Sequence, residues 1–177
     1  MPKRPGVNDV RHFMIDLETF SLRVDCAIAT IACCEFDHTG VTRHYEDAAA
    51  LDGRIDDATL SWWHNQQKRG TPLPYRKGAM PLRGVLLELA DFIGNGPRWM
   101  WAKPSTFDLA ILAEAYARHG LVTPWEYHEV RCLMTFASLY PDVPSVRPDT
   151  KHIAIDDAIA QAKTCIRLMR EHGTRLS

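Results

Sequence analysis

The chain has 177 residues, of which 46% are hydrophobic and 24% charged, and its formal net charge is −1. The length predicts one globular domain over residues 1–177, with a core of about 12–172, and the near-zero charge excludes binding of nucleic acid through an overall basic surplus. Five cysteines without a C-x-x-C pair, and no signal or membrane-spanning pattern, predict a soluble, reduced, cytoplasmic protein with no zinc site and no membrane partner.

The first half of the chain predicts a meander of three strands. Apolar segments at 12–18 and 27–37 are typical of buried strands joined by a turn, and 41–45 alternates well enough to add a third. From Asp57 the pattern changes to a short helix. Residues 80–94 then carry apolar side chains at helical spacing, which predicts a longer helix.

The second half alternates strand and helix. Residues 98–104 predict a strand, Ser105 begins a helix that ends at Gly120, residues 127–133 predict a fifth strand, and 153–172 predicts an amphipathic helix. A meander followed by this alternation predicts an α/β fold with a mixed five-stranded sheet flanked by helices. That layout resembles the ribonuclease H-like folds.

Acidic residues recur at the ends of these elements. Asp16 and Glu18 would share one face of the first strand and could share a cation, although a D-x-E triplet at a frayed strand end is often only solvated. Asp108 lies in the first helical turn after Ser105, where a capping box offers a purely structural explanation. His152 precedes Asp157 by five positions, and a lone histidine usually has no chemical role.

Taken in order, these motifs resemble one group of enzymes. A D-x-E strand, an F-D helix start and H-x-x-x-x-D before the last helix are similar to the DEDD exonucleases of the histidine subclass (DEDDh), which include ribonuclease T, oligoribonuclease and polymerase proofreading subunits. The segments DLETFS, TLSWWHNQQ and HIAIDDA most resemble a branch that contains phage exonuclease A proteins and a mycobacterial exoribonuclease. The resemblance covers nearly the whole chain.

The resemblance implies the site residues and the reaction. The metal-binding acids would be Asp16, Glu18, Asp108 and Asp157, with His152 as general base; Asp156 is the alternative that the five-residue spacing disfavours. Carboxylate oxygens suit hard cations, so two Mg²⁺ or Mn²⁺ ions are expected. The implied activity is 3′-5′ exonucleolytic hydrolysis of single-stranded RNA or DNA with a free 3′ end, which releases nucleoside 5′-monophosphates.

His152 is expected to be mobile before substrate binds, because it precedes a helix. Substrate contacts are expected from five residues near the acids: Leu17, Thr19, Phe20, Trp62 and Phe107. Aromatic faces can stack on single-stranded bases, although core packing is the more common role, above all for one residue of the Trp62-Trp63 pair.

Three expectations concern the surroundings of the site. The basic stretch from Lys68 to Lys77 would touch phosphates or simply be solvated, and Lys103 stands where relatives have smaller or amide residues. A homodimer is expected from the resemblance. The rival functions are a catalytically inactive nucleic-acid-binding domain and a ribonuclease H-like endonuclease or transposase domain.

Overall fold

The computed structural model describes residues 10–173; residues 1–9, from the basic opening segment, and residues 174–177 lie outside it. A mixed sheet is built from β1 (Arg11–Thr19), β2 (Ile28–Phe36), β3 (Val41–Ala50), β4 (Met80–Pro81), β5 (Arg98–Ala102) and β6 (Val130–Cys132). The helices are α1 (Asp57–Lys68), α2 (Leu82–Ile93), α3 (Asp108–Arg118), α4 (Leu133–Ser138) and α5 (Ala154–Glu171). No helix among residues 10–173 combines the length and apolarity needed to cross a membrane.

Strand β1 lies inside the sheet, whose order is β4-β3-β2-β1-β5-β6. It pairs antiparallel with β2 and parallel with β5, and β3 pairs antiparallel with β2. The predicted three-strand meander is therefore confirmed. Because the parallel strands β5 and β6 follow by way of helices, the sheet is mixed, as the α/β pattern predicted.

Both faces of the sheet are covered, which explains why β1 reads as an almost continuous apolar run. Phe13, Ile15 and Leu17 belong to one buried cluster with α2 and α3. Met14, on the other face, belongs to a second cluster with α4 and α5. Since side chains alternate along a strand, Asp16 lies on the α5 face with Met14.

The structure corrects four details of the sequence-based prediction. The sheet has six strands rather than five, because Met80–Pro81, predicted as the start of a helix, pairs with the end of β3 at the sheet edge, where proline is tolerated. The predicted strand at 127–133 is reduced to Val130–Cys132 by a 3₁₀ turn at Tyr127–Glu129. The helix predicted from Ser105 begins at Asp108, and α4 was not predicted.

Candidate active site

Asp16 and Glu18 project from the second half of β1 towards α5. Asp16 is opposite Ala32 and Glu18 is opposite Thr30 in the antiparallel register with β2. The register shifts between Glu18 and Thr19, so the strand is irregular just beyond the second acid. Such irregularities redirect side chains and often lie beside functional sites. Asp16 and Glu18 therefore lie on the same face of β1, as the D-x-E spacing predicted.

Asp108 reaches β1 from the first residue of α3. Its Oδ1 accepts a hydrogen bond from the backbone N–H of Leu17 at 3.1 Å, and the residue is only 3% exposed. Strand β5 pairs with β1 only as far as Met14. Beyond that point the Asp108 side chain, rather than a strand, accepts the hydrogen bond from the β1 backbone at Leu17. The helix has no side-chain N-cap hydrogen bond, so the capping-box explanation is wrong.

His152 and Asp157 join the two β1 acids from the start of α5. The backbone N–H of His152 donates to Asp157 Oδ2 at 2.7 Å, whereas Asp156 Oδ2 accepts from the backbone N–H of Thr150 at 3.1 Å. One possible ligand atom each of Glu18, His152 and Asp157 lies within 4.8 Å of the others. The geometry therefore favours Asp157 over Asp156.

The buried position of the acids and their closeness to one another raise their pKa values. Burial raises the pKa of Asp16 well above its ordinary value, and the charges of Asp108, Glu18 and Asp157 add to the effect. Burial raises the pKa of Glu18 to about 8 and that of Asp108 to about 7. Burial also raises the pKa of Asp157, against the hydrogen bond from His152. Either protons or cations are needed to relieve this repulsion.

The donor set fits divalent cations. Four carboxylates supply only oxygen, which hard ions prefer, and Glu18, His152 and Asp157 form a group that could hold a metal ion. The raised carboxylate pKa values show that the acids are poorly compensated by the described protein groups. A bound cation would supply the missing positive charge.

Gln161 and Glu46 also belong to the site but were not predicted. Gln161 Nε2 donates to Asp16 Oδ1 at 2.6 Å, and its Oε1 is buried without a hydrogen-bond partner among residues 10–173. Glu46 on β3 accepts from the backbone N–H of Ile155 at 3.1 Å and contributes to the raised pKa of Glu18. Gln161 stands four residues after Asp157, a spacing that puts both on one helix face and was a usable signal.

Comparison with known proteins identifies the family of this chain. Residues 11–169 match a protein family described as the 3′-5′ exoribonuclease Rv2179c-like domain. The chain belongs to this family. It is therefore a nuclease of the 3′-5′ exonuclease class, as the resemblance predicted. No curated protein sequence matches the chain.

Solved structures of low sequence identity share the fold. The nuclease domain of 3′hExo, a DEDDh family member bound to rAMP, superposes with a TM-score of 0.67 at 14% identity, over 96% of each chain. E. coli Exonuclease I in complex with a dA16 oligonucleotide gives 0.71 at 12% identity, over 93% of this chain and 42% of that one. The family member thus has the predicted ribonuclease H-like α/β fold, although it spans less than half of Exonuclease I.

The two tryptophans of α1 lie beside the acids in different environments. Trp62 is 40% exposed, and its ring centroid is 4.9 Å from that of His152. Trp63 is 2% exposed, and its Nε1 donates to the backbone carbonyl of Thr19 at 2.9 Å. Core packing of one tryptophan of the pair, as weighed from the sequence, is confirmed for Trp63.

The other predicted substrate contacts are largely enclosed. Phe20 is buried against Trp63, with ring centroids 6.4 Å apart, so its ring could wedge against a base only after moving. Leu17 points into the cluster with α2 and α3, and half-buried Phe107 packs against the same cluster. Thr19 Oγ1 donates to the backbone carbonyl of Ser21 at 2.8 Å. Their roles in substrate binding stay predictions.

A cavity of about 230 Å³ opens beside Glu18 and His152. Its far wall is formed by residues 72–76, including Arg76, which forms an ion pair with Asp47. The rest of the basic stretch, at Lys68, Arg69 and Lys77, is exposed. Lys103 is also exposed, in the turn between β5 and α3.

Proposed function

We propose that this family member hydrolyses phosphodiester bonds at the 3′ ends of single-stranded nucleic acid by a two-metal mechanism and releases nucleoside 5′-monophosphates. The observation that carries the proposal is the convergence of Asp16, Glu18, Asp108 and Asp157, from β1, α3 and α5, with His152 beside two of them. A binding domain without catalytic function would have no need to keep such poorly compensated acids buried together.

The four carboxylates would hold two Mg²⁺ or Mn²⁺ ions. When bound, these cations would stabilise the negative charge that develops on the phosphate and the leaving oxygen. The protein itself supplies the rigid frame. Asp16 and Glu18 are held by β1, Asp108 is tied to the Leu17 backbone, and Asp157 to the backbone of His152. Because the acids come from different elements, the site depends on the complete fold.

His152 would accept a proton from the attacking water, because an imidazole can exchange protons near neutral pH. One ring nitrogen of His152 lies within 4.8 Å of a carboxylate oxygen of Glu18 and one of Asp157. The imidazole could therefore contact a water molecule held between these groups. Trp62 would offer its exposed surface to a base at the 3′ end. The adjoining cavity would receive the terminal nucleotide.

RNA is the proposed substrate, since the matching family is described as exoribonucleolytic. DNA is the alternative substrate, because E. coli Exonuclease I, which shares the fold, was solved in complex with deoxyoligonucleotides. The homodimer expected from the resemblance stays a prediction.

The test is cleavage of 5′-labelled single-stranded RNA and DNA of one sequence, with Mg²⁺, Mn²⁺ or EDTA. We expect a metal-dependent ladder that shortens from the 3′ end, with RNA degraded faster. Asp16→Ala and Asp157→Ala should abolish the ladder, and His152→Ala should lower kcat by about 10²- to 10⁴-fold, the usual contribution of a general base.

Asp156→Ala is the matched control, because Asp156 neighbours Asp157 but bonds to the Thr150 backbone instead. It should retain activity close to that of the wild type. Intact strands under every metal condition, with a folded wild-type protein that still binds RNA, would favour the inactive binding domain. Cleavage of a circular substrate would favour the endonuclease alternative.

A further inference from the structure

The imidazole of His152 is enclosed by α1 as well as by the acids. Its ring is nearly perpendicular to that of Trp62, with an interplanar angle of 86° and centroids 4.9 Å apart. It is also nearly perpendicular to Trp63, at 83° and 6.3 Å. Edge-to-face arrangements at such distances are attractive because the positive edge of one ring meets the negative face of the other.

The backbone alone does not orient this ring. His152 has φ of 62°, in the left-handed region that non-glycine residues seldom adopt, and its N–H is bound by Asp157. These contacts hold the Cα but leave side-chain rotation free. The sequence predicted a mobile histidine because it precedes a helix, whereas the structure gives the ring aromatic neighbours on α1.

The aromatic neighbour is itself anchored to the acidic strand. Trp63 is buried, and its indole N–H donates to the Thr19 carbonyl, one residue beyond Glu18. Trp62 packs edge-to-face against Trp63, with centroids 4.9 Å apart. A chain of contacts therefore connects the end of β1, through Trp63 and Trp62, to the His152 ring.

We propose that Trp62 and Trp63 are positioning residues that hold the His152 imidazole beside Glu18 and Asp157 before substrate binds. The proposal rests on the proposed function and deepens it, because it gives Trp62 a role in the chemical step besides contact with a base. Trp62 acts through His152, so its removal should lower kcat only while His152 is present.

A double-mutant cycle separates this role from base stacking. Single-turnover rates on single-stranded RNA are measured with Mn²⁺ for the wild type, Trp62→Ala, His152→Ala and the double variant. We expect Trp62→Ala to lower the saturated rate about three- to tenfold in the wild-type background, as the loss of one aromatic pair implies, and less than twofold in the His152→Ala background. Trp62→Phe should restore the rate to about half of wild type or more.

Leu87→Ala is the matched control, because Leu87 is 41% exposed, close to the 40% of Trp62, and lies on α2, whose buried side chains pack on the face of the sheet opposite α5. It should leave the rate unchanged. A direct readout is the His152 imidazole proton resonance in metal-free protein, assigned by its loss in His152→Ala. Trp62→Leu should shift this resonance, because the ring current of the indole is removed, without lowering the melting temperature by more than a few degrees.

The proposal is overturned if Trp62→Ala lowers the saturated rate equally in both backgrounds, or raises only the RNA concentration needed for half-saturation, since either result assigns Trp62 to the substrate alone. An unmoved His152 resonance in Trp62→Leu overturns it too. A wild-type protein that cleaves neither RNA nor DNA with either metal contradicts the proposed function instead, and the resonance then still decides whether Trp62 holds the ring.

Discussion

At the scale of single residues, the site depends on a neutral partner for one of its acids. Gln161 donates to one oxygen of Asp16 and adds no charge to a cluster whose acids already repel one another. An amide that donates to a carboxylate favours its charged form, and it orients the carboxylate for a cation. Gln161 thus supports Asp16 in the form that binds metal.

Gln161→Met should weaken equilibrium Mn²⁺ binding by about 10- to 100-fold, the usual cost of removing a hydrogen bond to a metal ligand. Methionine keeps the length of the side chain and removes the buried, unpartnered Oε1, so the melting temperature in EDTA should not fall. Lys163→Met, an exposed change two residues along α5, is the control. Mn²⁺ affinity within twofold of wild type would contradict the role of Gln161.

The raised pKa of Glu18 makes the stability of the metal-free protein depend on pH. Its pKa is raised from 4.5 to about 8 by burial, then by Asp157, Asp108 and Glu46, so the folded state retains a proton that the unfolded state releases. Its contribution to the free energy of unfolding is fully present below about pH 4.5 and is lost as the pH rises through about 8. Between pH 6.5 and 8 we expect Glu18 to account for about 1–2 kcal/mol of the loss of stability in urea unfolding with EDTA.

Glu18→Gln should reduce this pH dependence by about 1–2 kcal/mol without abolishing it, because glutamine does not titrate whereas Asp16 and Asp108, whose pKa values are also raised, still do. The half-buried His12, whose pKa is lowered to about 4 by burial, has the opposite sign and acts mainly below the chosen window. Excess Mn²⁺ should stabilise the wild type more at pH 8 than at pH 6.5, since metal binds the deprotonated acids. An equal slope in wild type and Glu18→Gln would mean that other groups carry the pH dependence.

At the scale of elements, small residues allow α5 to approach the sheet. Ala154, Ala158 and Ala162 recur at four-residue spacing and are buried against the face that carries Met14 and Cys34. The Cys34 thiol donates to the Ala158 carbonyl at 3.6 Å. Because Asp157 is the neighbour of Ala158, the distance between helix and sheet also sets the distance between Asp157 and the β1 acids.

Ala158→Leu should destabilise the protein by about 1–3 kcal/mol, because three extra carbons have no space between helix and sheet. It should also weaken Mn²⁺ binding, since a displaced helix moves Asp157 away from Glu18. Urea unfolding and equilibrium Mn²⁺ binding test the two effects separately. Lys163→Leu, on the exposed side of α5, should change neither value appreciably. Normal metal affinity in a destabilised Ala158→Leu protein would show that the site tolerates movement of α5.

The elements with long, regular apolar patterns were predictable, and the short ones were not. The patterns of β1, β2, α2 and α5 have enough residues to distinguish a period of two from one of 3.6. Strand β4 has two residues and α4 has six, so their sequences contain too few repeats to show a period. Their structure depends on neighbours: β4 forms only because β3 offers Ala49 and Ala50 as partners.

At the scale of the whole molecule, the modest net charge and the acidic site are compatible. The chain carries 21 basic and 22 acidic residues, so no general attraction draws it to nucleic acid. Four of the acids gather at one end of β1, where two divalent cations bound to them would neutralise the local negative charge. Phosphate recognition can then be local, and the exposed basic residues Lys68, Arg69 and Lys77 need to contribute only at the edge of the site.

The sequence by itself determined the α/β fold class and the order of the main elements, and its resemblance to the DEDDh exonucleases pointed to the five candidate site residues. Spacing alone placed only Asp16 and Glu18 together, because residues two apart on a strand share a face. The same reasoning could not separate a capping role for Asp108 from a role in the site, since both place an acid in the first turn of a helix.

Only the tertiary structure decided which groups complete the site. Asp108 bonds to Leu17, which is 91 residues away in sequence, and Gln161 bonds to Asp16 across 145 residues. The contact between Trp62 and His152 likewise joins α1 to the start of α5. Contacts of this range depend on how helices pack across the sheet, and that packing is set by the combined shape of many side chains rather than by any local pattern.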